Sequence, residues 1–200
     1  MEQKLKSAIT RQKILNAAEE IFAAKGPDAA RVDEIAALAG VNKQRIYAHF
    51  GCKEMLYETV LEEVYRRRGA YEEPLSGREF KGPETVRAIV FDYFDFLMKN
   101  PNFVRLMLWE NLNYAQAPTA FHRSPFPGVE GLLRDAMEKG KIRRNLDIDQ
   151  TVVSINMFCF SAFSNVHTLS RLLSRDLACE IELRKRAAHI ADVLIRYICG

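Results

Sequence analysis

A short polar segment, residues 42–49, carries side chains that could recognise another molecule through direct hydrogen bonds. Arg and Lys suit the guanine O6 and N7 acceptors, while Asn and Gln suit adenine N6 and N7. Tyr47 and His49, together with Lys53 beyond the segment, are better placed to hold phosphates, which fix register without reading sequence. The side chains that we expect to face base edges or phosphates at the start of this segment are Asn42, Lys43, Gln44 and Arg45.

The residues around this segment predict two short helices joined by a glycine turn, a helix-turn-helix. Such a crossing needs a small residue where the backbones meet, here Ala36, and a turn residue that tolerates positive φ, here Gly40. Val41 and Ile46 are the apolar residues that would hold the second helix in place. We therefore expect the second helix to present its polar side to a DNA major groove.

Three other interpretations compete with this one. The two short helices could form a hairpin in a bundle core, with the polar side merely solvated. The chain could also be a helical carrier or sensor that binds no DNA. An enzyme is the third, but the sequence contains no nucleophile elbow, zinc-protease motif, phosphate-binding glycine loop or paired catalytic residues. Loss of DNA binding on replacing Lys43 and Arg45 would separate a regulator from a carrier.

Helical periodicity runs through almost the whole chain and predicts an all-α fold without strands. Asp147 is expected to cap a long helix that reaches about Leu173 and is apolar on nearly all sides, and a final helix runs over residues 179–198. The net charge of +3 is mild and fits a protein that touches DNA with one small face. We expect no metal site and no cofactor, and a reducing cytoplasm around four free cysteines, because no signal peptide or membrane-spanning run is present.

The residues from Val32 to Leu56 resemble the TetR family of bacterial helix-turn-helix regulators. The resemblance covers about the first 60 residues. Its motifs are a turn sequence, a Tyr-x-x-Phe pair at the end of the recognition helix and a Lys-Glu that opens the next helix. These motifs are found at Ile35-Ala36 and Ala39-Gly40-Val41, at Tyr47 with Phe50, and at Lys53-Glu54.

The chain departs from the family pattern in two places. Where the family usually has Thr or Ser before the second helix, this chain has Ala30-Arg31, so we expect the helix cap to be lost at a cost of about 1 kcal/mol. Arg31 could still hold a phosphate as a cation. Cys52 replaces the usual Ser before Lys53-Glu54 and is expected to be a poorer cap.

The resemblance implies a three-helix DNA-binding domain over residues 1–55 and a helical effector-binding and dimerisation domain over residues 56–200. It also implies a homodimer formed through the last two helices, a palindromic operator and repression that a small hydrophobic or amphipathic effector relieves. The effector would lie between the middle helices. The candidate effector residues are aromatic, sulfur-containing or polar side chains at helical spacing: Phe94, Phe103, Met107, Asn111, Asn113, Tyr114, Phe158, Asn165 and His167.

Overall fold

The computed structural model describes residues 2–72, 75, 77–113 and 126–200, and over these residues the chain is helical, without strands. The all-α prediction is therefore confirmed. The helices are α1 (Glu2–Ala29), α2 (Val32–Ala39), α3 (Lys43–Phe50), α4 (Lys53–Glu72), α5 (Pro83–Lys99), α6 (Pro101–Leu112), α7 (Pro127–Glu138), α8 (Ile148–Ser164), α9 (Val166–Leu172) and α10 (Glu180–Ile198).

The chain forms two compact units, Met1–Arg66 with Arg105–Ala120, and Arg67–Val104 with Phe121–Gly200. The boundary after Arg66 lies inside α4, eleven residues beyond the boundary after residue 55 that the sequence predicts. The difference arises because α4 continues to bury apolar side chains in the first unit, at Val60, Leu61 and Val64. A division of function after residue 55 stays a proposal.

The first unit places the three short or amphipathic N-terminal helices around one core. The apolar faces that helical periodicity predicts line this core. Helix α3 packs against the core along one apolar edge. The core side chains of this unit that are 0% exposed are Ile14, Ala18, Phe22, Ile35, Leu56, Leu61 and Leu106.

Helix α1 is interrupted at Gly26, whose φ of 79° and ψ of 165° lie outside the helical region. The ring of Trp109, from α6, lies directly on this residue, because a Cβ built at Gly26 would come within 2.9 Å of the ring. The indole Nε1 also donates a hydrogen bond to the Ala23 carbonyl at 3.3 Å. Gly26 is thus required both for its backbone conformation and for the close approach of the ring.

Replacing Gly26 by Ala is expected to lower the free energy of unfolding by about 2 kcal/mol, since this backbone region is almost exclusive to glycine. Gly69→Ala is the matched control: Gly69 is helical, has open space around its Cα, and should become slightly more stable as Ala. Urea unfolding followed by circular dichroism measures both. Equal stability of Gly26→Ala and the unchanged protein would exclude the proposed constraint.

The segment after Asp147 corrects a sequence prediction. Asp147 does cap a helix, its side chain accepting from the backbone N–H of Gln150 at 3.0 Å, but the helix ends at Ser164 rather than near Leu173. The chain bends by 71° there, and α9 follows. Asn165 is the C-cap of α8, with φ −110° and ψ 10°, outside the regular helical region.

Helix α8 is buried on one side only within the chain. Within the chain one face is buried, and the opposite face leaves Val153 and Met157 about half exposed, at 52% and 51%. Among the described residues no single helix is long and apolar enough to cross a membrane. Helices α8 and α9 together reach the necessary length and apolar composition, but they form a bent pair.

Candidate nucleic-acid interface

The turn between α2 and α3 is built on Gly40, which takes the left-handed conformation with φ 66° and ψ 37°. Its N–H donates to the Ala37 carbonyl at 3.2 Å, and the next N–H, of Val41, donates to the Ala36 carbonyl at 3.0 Å. These two bonds satisfy carbonyls at the end of α2 and redirect the chain sharply. The glycine turn that the sequence predicted is confirmed.

Helix α3 is held by two residues on one side. Ile46 is 1% exposed and Phe50 is 8% exposed, and the Arg11 guanidinium lies 5.2 Å from the centre of the Phe50 ring. The remaining side chains of the helix are free of the core. The residues of α3 that the structure leaves exposed are Lys43, Gln44, Arg45, Tyr47 and Ala48, with His49 half-buried.

Asn42 begins α3 as its N-cap. The residue is extended, and its Oδ1 accepts a hydrogen bond from the backbone N–H of Arg45 at 2.9 Å. This bond satisfies one of the unpaired donors at the start of the helix. Asn42 therefore has a structural role besides the base contact that its type predicts.

Replacing Asn42 by Ala is expected to lower the free energy of unfolding by about 1 kcal/mol, the usual contribution of an N-cap side chain. Asn42→Ser keeps an oxygen at the same distance along the side chain and should retain most of that stability. The two urea unfolding midpoints give the comparison. A loss as large in Asn42→Ser as in Asn42→Ala would mean that the cap is not the cause.

Lys43 is tied to the preceding helix by an ion pair. Its Nζ donates a hydrogen bond to Asp33 Oδ2 at 3.1 Å, both side chains are exposed, and this bond raises the pKa of Lys43. An exposed pair of this kind adds little stability, so a phosphate or base could replace Asp33 at small cost.

Lys53 has contacts that the sequence did not indicate. Its ammonium donates to two carbonyls of the turn between α1 and α2, Asp28 O at 3.3 Å and Ala30 O at 3.4 Å. Each bond joins residues that are more than twenty positions apart in the sequence, so no local sequence pattern predicts it. Lys53 therefore helps to position the adjacent Arg31, which is exposed.

The two expected departures at helix starts are visible in the structure. Arg31 is the N-cap of α2 and makes no side-chain capping bond, as the sequence predicted. Cys52 does act as a weak cap, since its Sγ accepts from the Met55 N–H at 3.5 Å. A separate ion pair, Lys25 with Glu34 at 2.6 Å, joins α1 to α2 and lowers the pKa of Glu34.

Two family models match the chain. The model described as "Bacterial regulatory proteins, tetR family" matches residues 14–60, which include the turn and α3. The model described as "Tetracyclin repressor-like, C-terminal domain" matches residues 83–194, more than half of the chain.

The chain belongs to the TetR family.

The similar proteins cover between two thirds and nearly all of this TetR-family chain. The repressor NicS of Pseudomonas putida is 31% identical over 94% of this chain and 91% of its own length. The repressor SCO4008 of Streptomyces coelicolor is 32% identical over 66% of this chain and 67% of its own. The solved structure of SCO4942 from Streptomyces coelicolor has a TM-score of 0.74 and 26% identity, covering 94% of this chain and 98% of that one.

This membership decides the class of function. TetR-family proteins are DNA-binding transcriptional regulators and not enzymes, so this TetR-family chain is a DNA-binding transcriptional regulator. The part of the chain that matches the N-terminal family model includes α3 and its exposed polar face.

The residues predicted to hold an effector in this TetR-family chain are divided between the two compact units. Met107, Asn111 and Asn113 belong to the first unit. Met107 is buried, but the Asn111 and Asn113 side chains donate to carbonyls of their own helix, those of Met107 at 2.8 Å and Trp109 at 2.9 Å. Their amides are thus satisfied without a ligand. Tyr114 lies outside the described residues.

The other predicted effector residues lie in the second unit. Phe94 and Phe103 are core residues at 0% and 5% exposure, while Phe158 is 40% exposed. Asn165 and His167 are exposed, so the expectation that they lie inside the most buried helix is wrong, because that helix ends at Ser164.

Sequence reasoning missed two charged residues at the centre of the second unit. Arg68 and Glu72, near the end of α4, are 5% and 2% exposed and form an ion pair of 2.6 Å. The only sequence signal was the spacing of four residues between opposite charges. Burial raises the pKa of Glu72, although Arg68 and the backbone N–H groups of Gly128 and Val129 act in the opposite direction.

Proposed function

We propose that this chain is a homodimeric repressor that binds a palindromic operator through α3 of both protomers and releases it when a small hydrophobic or amphipathic effector binds. The observation that carries the DNA contact is the division of α3 into a buried apolar edge and an exposed polar face. The proposed contact residues are Arg31, Asn42, Lys43, Gln44, Arg45, Tyr47, His49 and Lys53.

Within this set the structure supports a division of roles. Gln44 and Arg45 are exposed near the start of α3, where helices of this motif meet base edges. Arg31 lies at the start of α2, where a cation and unpaired backbone N–H groups suit a phosphate. Tyr47 is 42% exposed and adds a hydroxyl for a second phosphate contact.

Exposed apolar side chains on the last long helices support the homodimer. Val153, Met157 and Phe158 of α8 are 52%, 51% and 40% exposed, and Val193 and Tyr197 of α10 are 42% and 43% exposed. The spacing of four residues on each helix places such side chains along one side. A second copy of the same surface would bury them symmetrically, as two-fold dimers do.

The switch is proposed to run through α4. This helix begins at Lys53, three residues after α3, and ends at Glu72 inside the second compact unit. An effector that moves the end of α4 can therefore alter the start of the same helix, provided that it binds one state better than the other. NicS and SCO4008 are named repressors, which supports repression as the sign of control.

Selection of bound duplexes from a random DNA pool tests the proposal. We expect an inverted repeat whose half-sites are separated by about one helical turn, roughly 34 Å, because two copies of α3 must enter successive major grooves. A consensus without two-fold symmetry would contradict the homodimeric mode. Absence of any enrichment at low salt would contradict operator binding altogether.

A further inference from the structure

The shortest contact of the Arg68–Glu72 pair joins Arg68 Nη2 to Glu72 Oε1 at 2.6 Å, and the two side chains are 6% and 3% exposed. A guanidinium has five N–H donors, and the usual strong arrangement with a carboxylate uses two of them in parallel. In this pair several buried polar atoms have no aligned hydrogen-bond partner.

The unpaired atoms belong to both side chains. Arg68 Nε is buried without a hydrogen-bond partner, and neither oxygen of Glu72 takes part in an aligned hydrogen bond. Buried polar atoms in native proteins are nearly always paired, and an unpaired one costs free energy. A buried ion pair is also a poor source of stability by itself. Glu72 faces the backbone N–H groups of Gly128 and Val129 at the start of α7, but these contacts are not aligned as hydrogen bonds, so the fold accounts for the position of the carboxylate and not for its unpaired oxygens.

Three aromatic rings surround the guanidinium. Its central carbon lies 4.2 Å from the centre of the Tyr93 ring, 4.7 Å from that of Phe126 and 5.3 Å from that of Phe96. Rings at these distances hold the cation in place and provide flat apolar surfaces beside it. Phe126 differs from the other two because it is only half-buried and precedes the first residue of α7.

A small cavity lies beside the pair. Arg68 and Glu72 both line it, together with apolar side chains such as Ile89 and Val152, and its volume is about 20 Å³. That volume holds one water molecule, so a ring-bearing ligand needs one side chain to move. Phe126 also lines the cavity, and its ring is the half-exposed one over Arg68.

We propose that Arg68 and Glu72 form the recognition pair of the effector site, and that the effector is a flat ring bearing a neutral carboxamide or lactam group. The carbonyl of that group accepts from the guanidinium of Arg68, and its N–H donates to the Glu72 carboxylate. The ring takes the place of Phe126 over Arg68. This inference rests on the proposed effector response and names the chemistry of that effector.

The charges around the cavity explain why the recognised group is neutral. A carboxylate ligand would meet Arg68 but would be repelled by Glu72, and an amidinium would meet Glu72 but would be repelled by Arg68. Asp92 also lines the cavity, but it is half-buried, so water screens its charge more than that of the pair. A group with one acceptor and one donor satisfies both partners without opening the pair.

Three probes of nearly equal shape test this chemistry on the full chain: benzamide, benzoate and benzamidine. Affinities are measured by NMR titration of the protein without DNA. The unchanged protein should bind benzamide about tenfold or more tightly than either charged probe, the difference expected from one unpaired buried charge. Equal binding of all three, or binding of none, overturns the proposal and leaves the cavity as a site for water only.

Two variants should reverse the preference in opposite directions. In Glu72→Gln the Arg68 charge is left without a partner, so benzoate should become the tightest probe. In Arg68→Met the Glu72 charge is left without a partner, so benzamidine should become the tightest. Arg134→Met is the control, since it removes an exposed pair with Glu130 and should keep benzamide first. If one variant fails to fold, the other variant and the unchanged protein still test the proposal.

Phe126→Ala tests the displacement of the ring. Benzamide should bind this variant more tightly than the unchanged protein, because the closed state no longer competes with the ligand. Unchanged or weaker binding excludes the displacement. All these measurements are made without DNA, so a failure here is distinct from a failure of operator binding, which the duplex selection reports.

Discussion

The Lys43→Ala, Arg45→Ala double variant is expected to bind the selected operator about a thousandfold more weakly than the unchanged protein. Each lost contact to a base or phosphate costs about 1–3 kcal/mol, and a total of about 4 kcal/mol corresponds to three decades of affinity. Both side chains are exposed on α3, so their removal should leave the fold intact. Fluorescence anisotropy at fixed salt measures the affinity.

The matched control is Lys81→Ala with Arg144→Ala, which removes the same charge from exposed positions of the second unit. It should bind the operator within about threefold of the unchanged protein, since charges that make no DNA contact act only through the screened overall field. An equal loss in control and test variants would mean that net charge, and not α3, governs binding.

Met157→Glu is expected to convert the proposed homodimer into a monomer at micromolar concentration. Met157 is 51% exposed on the proposed interface, and a carboxylate buried there without a partner costs about 3 kcal/mol or more, at least a hundredfold in the dimer dissociation constant. Sedimentation equilibrium gives the molecular mass. Operator affinity should fall as well, because a monomer holds only one half-site.

Met55→Glu is the matched control, because it makes the same replacement at an exposed Met outside the proposed interface. Met55 is 52% exposed in the first turn of α4, and its replacement should leave the mass of the dimer unchanged. A monomeric unchanged protein, or a dimeric Met157→Glu variant, would place the interface elsewhere.

The local parts of the candidate interface were predictable because local chemistry determines them. Gly40 is needed at a left-handed position, Asn42 is a good N-cap, and the spacing of Ile46 and Phe50 fixes which side of α3 is buried. Each of these signals lies within a few residues of the feature it predicts. The structure bears out the turn and the buried edge, and it adds the cap.

The features that sequence reasoning missed depend on distant or competing contacts. Lys53 bonds carbonyls more than twenty residues away, and the burial of Arg68 depends on rings from two other parts of the chain. The end of α8 at Ser164 was missed because the apolar pattern continues past Asn165 while the backbone does not. Apolar periodicity describes the order of side chains along the chain and does not show where the backbone leaves the helical conformation.

The central claim is that side chains of α3 read bases directly, and repeating the duplex selection with Arg45→Ala tests it most directly. We predict that the recovered sites keep their two half-sites and spacing but lose preference at one base pair, at the same place in each half-site. A consensus identical to that of the unchanged protein, with affinity reduced uniformly, would show that Arg45 only holds the DNA backbone and would contradict the claim.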